Sequence, residues 1–176
     1  MSMIGQYARL TPDELKRAID DPEWAQDHID SIQDALDDAD VYEDDWDGSD
    51  EPPGRAKLYS TGKSWNLLEF LLGRASFPVN VIYGDHVLDP EQDWGYGPAS
   101  YLTPDRVRYA SNALAALPFS QLAPGVTVAE LKAARIYPDV WDELDAVEWG
   151  GGYYERLTAF FGAAADSGDA ILMWIS

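Results

Sequence analysis

Tyr153–Ile175 reads YYERLTAFFGAAADSGDAILMWI, and within it the period of the apolar residues changes. Tyr153, Leu157, Phe160, Phe161 and Ala164 recur at helical spacing. Gly168-Asp169 then turns the chain into an apolar run, Ala170 to Ile175. A run that short and unbroken, bounded by turn formers, is expected of a central strand covered on both faces. A helix leading through a turn into such a strand points to one α+β domain, with several amphipathic helices packed on a small mixed sheet. The loosely alternating segment Ile4 to Leu10 is expected to supply the N-terminal strand beside the C-terminal one.

Working back from there, Thr11-Pro12-Asp13-Glu14 is a capping box. Threonine accepts a backbone N–H bond, proline tolerates the first helical position, and glutamate three residues on completes the reciprocal cap. The spacing predicts a helix from Pro12 to about Ile19. A second helix starts at Asp21-Pro22 with Trp24, His28, Ile29, Ile32, Ala35, Leu36 and Ala39 along one stripe. Ser64 is expected to cap a largely buried helix to about Leu72, and Val79 to Tyr83 is expected as a strand. Thr103-Pro104 and Thr127-Val128-Ala129-Glu130 open two further helices, and Gly150-Gly151-Gly152 reads as a flexible entry to the last one.

The chain has 176 residues, 46% of them hydrophobic, and seven tryptophans, so it carries ample material for its own core. It has no cysteine, which excludes a disulfide framework, a thiol nucleophile and thiolate metal sites, and fits a reducing compartment. Neither a basic start followed by an apolar signal segment nor a run of membrane-spanning length is present, so a soluble cytoplasmic protein is expected.

Charge is the dominant feature: 32 acidic and 12 basic residues give a net of −20. Between Asp13 and Glu51 stand 17 acidic residues against Lys16 and Arg17, so this stretch carries −15 of that total. Glu23, Asp27, Asp30, Asp34, Asp37 and Asp38 lie three or four residues apart on the polar face of the second helix, and Asp44, Asp45 and Asp47 follow in an acidic loop at about 41–55. Each exposed like-charge pair costs a helix about 0.2–0.5 kcal/mol. Such a field repels nucleic acid and anionic membrane and attracts a basic protein.

Four pieces of sequence carry a family resemblance. They are Met3-Ile4-Gly5 through Tyr7, Arg9, Leu10, Thr11 and Pro12; the Lys63-Ser64-Trp65 helix; Gly95-Tyr96-Gly97-Pro98 through Tyr101-Leu102-Thr103-Pro104; and Ile136-Tyr137-Pro138 followed by Trp141. Gly168-Asp169-Ala170 before the apolar strand fits as well. With these the chain resembles the YfbM-like family, small bacterial proteins of unknown function, over most of its length. The resemblance implies one α+β domain and no particular reaction. Where the family often shows D-K-x-W-H-x-x-H, this chain has Asn66 and Glu69 in the histidine places, so it implies no histidine chemistry there.

Most chemical motifs fall short. Gly62-Lys63-Ser64 lacks the first glycine of a phosphate loop, because position 57 is Lys57. Glu43 to Gly54 has carboxylates at calcium-loop positions one, three and five but glycine in place of the bidentate glutamate at twelve. His28 is read as a boundary residue of its helix, and His86, between Asp85 and Asp89, as a weak general-base candidate. No metal ligands, cofactor or catalytic residues are assigned. The strongest ligand-site candidate is Trp94, Gly95, Tyr96, Gly97 and Tyr101, where glycines permit close backbone approach beside aromatic rings.

The leading expectation is a non-enzymatic interaction module whose partner-binding residues are Asp27, Asp30, Asp34, Asp37, Asp38, Asp44, Asp45 and Asp47, facing a basic protein. One concrete form is an inhibitor or immunity-type protein guarding against a basic toxin or nuclease. The alternative is a small-molecule-binding protein or enzyme using the Trp94–Tyr101 loop.

Overall fold

The computed structural model describes residues 2–38, 57–142 and 145–176. Among them, β1 (Gly5–Leu10), β2 (Leu58–Gly62), β3 (His86–Val87), β4 (Ser100–Leu102) and β5 (Ala170–Ile175) form one sheet in the order β2-β1-β5-β4-β3. The last strand is central, as its unbroken apolar run required. It pairs with β1 from Gly5↔Ile175 to Leu10↔Ala170. All the pairings are antiparallel, where a mixed sheet was expected. Two helices, α1 (Pro12–Asp20) and α2 (Pro22–Asp38), stand between β1 and β2. A helix pair can return the chain to the end of the sheet that it left, whereas a single crossover helix carries it back for a parallel strand.

The remaining helices are α3 (Trp65–Arg74), α4 (Pro104–Ala116), α5 (Phe119–Leu122), α6 (Val128–Ala133) and α7 (Ala146–Ser167). Successive strand residues point to opposite faces, and this alternation divides the core in two. Tyr7, Ile171 and Met173 join Leu68 of α3, Val107 of α4 and Phe161 of α7. On the other face Ala8, Leu10, Ala170 and Leu172 join Leu15 and Ala18 of α1, Ala25 and Ile29 of α2, and Trp94. Burying one such leucine or phenylalanine side chain contributes about 1.5–3 kcal/mol. A polar residue in the middle of β5 would therefore disturb a core on either side.

Local signals explain most element starts. Both capping boxes form: Thr11 accepts from the Glu14 N–H while Glu14 accepts from the Thr11 N–H, and Thr127 and Glu130 do the same. Asp21 accepts from the Trp24 N–H. Ser64 departs from its expected role. It stands at the N-cap of α3, but its hydroxyl is buried and donates to the Thr61 carbonyl at 2.7 Å rather than accepting from the helix.

Val79 to Tyr83 is a turn, not a strand. The Asn80 carboxamide oxygen accepts from the Ile82 and Tyr83 N–H groups and bends the backbone. Burial of Val79, Val81 and Ile82 gave the segment its strand-like composition. Gly150-Gly151-Gly152 is likewise not an entry loop but part of α7, which Asp145 caps by accepting from Val147 and Glu148. A β-carbon at Gly150 would lie 2.9 Å from Leu67, and one at Gly151 3.1 Å from Phe119. Their lack of a side chain lets α7 approach α3 and α5. At the far end Gly168, at φ 70°, closes the helix through N–H bonds to Ala164 and Ala165 and sends the chain into β5. No helix among the described residues is long and apolar enough to cross a membrane.

Candidate functional site

The polar face of α2 is acidic from its first turn to its last, and no Lys or Arg occurs between Pro22 and Asp38. Asp34 and the pair Asp37 and Asp38 fall toward the C-terminal end, where the helix dipole disfavours negative charge. Ala25 and Ile29, each 2% exposed, hold the opposite face in the core and offset this cost. Glu23, Asp27, Asp30 and Asp34 are exposed and take part in no ion pair among the described residues. Asp37 and Asp38 end the helix backbone. Asp44, Asp45 and Asp47, and the calcium-loop pattern around them, lie outside the described residues.

Beside the start of α2 runs the segment Asp89-Pro90-Glu91-Gln92-Asp93. Gln92 ties it to the helix, donating at 3.2 Å to both the Pro22 carbonyl and the Gln26 carboxamide oxygen. Between the two lies an open cleft of about 560 Å³. Glu23, Gln26 and Asp27 form one wall, and Asp89, Glu91, Gln92 and Asp93 the other. Five carboxylates therefore border one cleft, with two carboxamides between them. Among the described residues, no three acidic or histidine side chains are grouped closely enough to hold a metal ion.

The same segment leads into the glycine loop. Asp93 accepts from the Gly95 and Gly97 N–H groups at 2.9 and 3.4 Å, and the Trp94 N–H donates to the Gly97 carbonyl. The Tyr96 N–H donates to Ile175 at 2.9 Å, which fastens the loop to β5. Gly95 and Gly97 adopt φ values of 128° and 115°, open to glycine but costly for other residues. Trp94 is buried, its ring 5.1 Å from Trp174 and its indole N–H donated to Gln92. Gly95 and Tyr96 are exposed, Gly97 is half-buried, and Tyr101 sits on β4 with its ring 5.3 Å from His86. The two regions singled out in the sequence are thus adjacent, with Asp93 belonging to both.

The chain matches, over residues 1–174, the family described as "Domain of unknown function (DUF1877)". It belongs to this family. A solved structure, "The Crystal Structure of a Protein of Unknown Function YfbM from Escherichia coli", is similar, with a TM-score of 0.59 and 18% identity over 98% of this chain and 99% of that one. At that identity the likeness speaks for a common fold. A search of curated proteins finds no match. DUF1877 membership bears out the resemblance read from the sequence, and the family has no function attached to it by name.

The two histidines stand in different settings. Asp85 pairs with Arg106 at 2.7 Å, and His86 lies exposed on β3. His28 stacks on Trp24, ring centroids 4.6 Å apart, and meets Glu14 at 2.5 Å, so it joins α1 to α2 as a boundary residue. Sequence reasoning missed Gln26, Glu91 and Gln92 as members of the cleft. The run from Asp89 to Asp93 was a signal for it, overshadowed by the denser charge between Asp13 and Glu51.

Proposed function

We propose that this chain is a non-enzymatic protein-binding module that takes a basic segment of a partner protein into the cleft between α2 and residues 89–93, acting in the cytoplasm. One observation carries the reading: exposed carboxylates gather on both walls, and those of α2 have no cationic partner among the described residues. Lysine or arginine side chains of a partner would relieve that repulsion and be steered toward it over several ångströms. Asp27, Asp30 and Asp34 extend the attractive surface along the helix, and Asp37, Asp38, Asp44, Asp45 and Asp47 add negative charge to the same stretch of sequence. An inhibitor or immunity-type protein for a basic toxin or nuclease fits this chemistry.

A second reading, small-molecule binding or catalysis at Trp94, Gly95, Tyr96, Gly97 and Tyr101, draws on the exposed Tyr96 three residues from Asp93 on the cleft wall. The two are separated by capturing partners from lysate, identifying them and titrating each as a purified protein against wild type, Asp27→Asn/Asp30→Asn/Asp34→Asn, and Glu23→Gln/Glu91→Gln. Binding to a basic protein that weakens at least tenfold in both variants and falls with added salt supports the module. A partner bound equally well by all three proteins overturns it.

A further inference from the structure

The segment Asp89-Pro90-Glu91-Gln92-Asp93 is fixed at both ends and lightly held between them. Before it, the Leu88 N–H donates to the Ala99 carbonyl at 2.9 Å. After it, Trp94 is buried against Trp174, and its backbone N–H donates to Gly97. Within it, the Glu91 N–H bonds to the Asp89 carboxylate and the Gln92 N–H to the Asp89 carbonyl, so these bonds shape a local turn and reach no other element. Among the described residues, only the Gln92 side chain makes hydrogen bonds from this segment to α2. Its amide donates to the Pro22 carbonyl and to the Gln26 carboxamide oxygen, each at 3.2 Å, while its own oxygen accepts from the Trp94 indole N–H at 3.0 Å. One carboxamide therefore joins the segment, the start of α2 and a buried tryptophan.

Charge opposes that latch. Glu23 and Asp27 on α2 stand across the cleft from Asp89, Glu91 and Asp93, and no Lys or Arg lines it among the described residues. The two bonds to α2 join neutral groups and lie at the long end of the usual N–H···O range. Repulsion between exposed charges reaches about 30 Å in 0.01 M salt but only about 3 Å in 1 M salt, whereas bonds between neutral amides respond far less to ions. The balance between latch and repulsion therefore shifts with whatever neutralises the cleft. We propose that residues 89–93 are an electrostatically governed strap: the Gln92 carboxamide holds it on α2, repulsion across the cleft releases it, and screening ions or cationic groups in the cleft close it. Leu88 and Trp94, fastened on either side, are the points about which it moves. The strap would regulate the cleft of the proposed function, but it needs no protein partner, so either reading can fail without the other.

The chain has no cysteine, so a pair can be introduced for labelling without competing thiols. Nitroxides on Pro90→Cys and Gln33→Cys, both exposed positions, report the separation of strap and α2 in the full chain by double electron–electron resonance. A population of longer distances is expected in about 0.01 M potassium chloride and its loss in about 1 M, where a single shorter distance remains. Adding Glu23→Gln/Glu91→Gln, also at exposed positions, should leave only the shorter distance in both salts. Adding Gln92→Ala should keep the longer one in both. The Trp141 indole N–H, bonded to the Ile136 carbonyl in the other core, checks by its NMR shift that each variant is folded. The same distances in both salts without these added changes, an undiminished salt response in Glu23→Gln/Glu91→Gln, or a Gln92→Ala variant that still closes in high salt would overturn the proposal.

Discussion

Arg9 on β1 donates from Nε to Oδ2 of Asp169 at 2.9 Å, and its Nη2 lies 2.9 Å from the same oxygen in an ion pair. Asp169 follows Gly168 in the two-residue turn between α7 and β5, so the pair ties the helix-to-strand turn to the neighbouring strand. Ser167 accepts a further bond from the same guanidinium. The two side chains are only 8% and 11% exposed. Removing the carboxylate takes a charged hydrogen-bond partner from a buried guanidinium, and Asp169→Ala should destabilise the protein by about 3 kcal/mol. Urea unfolding checks this; a loss under 1 kcal/mol would contradict it.

The glycines of α7 should respond to alanine in opposite directions. Gly152 has only the end of Arg156 within reach of an added β-carbon, at 3.8 Å, so Gly152→Ala should stabilise by about 0.5–1 kcal/mol through helix propensity. Gly150→Ala gains the same propensity but drives a methyl group to 2.9 Å from Leu67. It should destabilise by about 1–3 kcal/mol, the usual range for overpacking. Thermal melts of the two variants decide the sign.

In the glycine loop, Gly95 should tolerate alanine less well than Gly97. Both have positive φ, but a β-carbon on Gly95 would also stand 2.8 Å from the Ser176 backbone, whereas Gly97 has open space. Gly97→Ala should cost about 1 kcal/mol of backbone strain, and Gly95→Ala more than about 2 kcal/mol. Equal melting temperatures for the two would show that the contact with the chain after β5 does not matter.

Glu14 should make α1–α2 packing sensitive to acid. Burial raises its carboxyl, but bonds from Thr11 and the neighbouring His28 outweigh this and bring it below the ordinary 4.5. A carboxyl depressed in the folded state contributes stability above 4.5 that disappears as the pH falls through its folded value. Wild type should therefore melt higher than Glu14→Gln at pH 7, and the two should converge in strong acid. A gap that persists unchanged at low pH would place the effect elsewhere.

Glu69 has the opposite sign. Its raised carboxyl binds a proton more tightly when folded, so its contribution to stability declines as the pH rises from 4.5 through the folded value. Glu69→Gln should raise the melting temperature at pH 7, with the advantage fading below 4.5. A lower melting temperature at pH 7 would show that the charge is compensated in the fold.

Signals confined to a few neighbouring residues were read well. Thr11 with Glu14, Thr127 with Glu130, and Gly168 before the apolar run act through bonds three to five residues long, and the structure contains them all. Distant relations were less legible. Glycine is a poor helix former, and only the presence of Leu67 and Phe119 across the interface explains Gly150 and Gly151 within α7. The strand-like residues Val79, Val81 and Ile82 are buried around a turn set by Asn80. For the candidate site, the charge of α2 was plain, but its opposing wall depends on Gln92 reaching Gln26 across 66 positions.

The pairing of Gly5 with Ile175 and of Leu10 with Ala170 also governs how the chain can acquire its structure. The middle of the sheet joins the earliest strand to the latest, so neither core can close until residues 170–175 have been synthesised. Folding of this domain must then await the emergence of residues 170–175, with β1 lacking one of its two neighbouring strands until they appear. Closing so long a loop is entropically slow, and the expected result is a high contact order and a millisecond-to-second folding time.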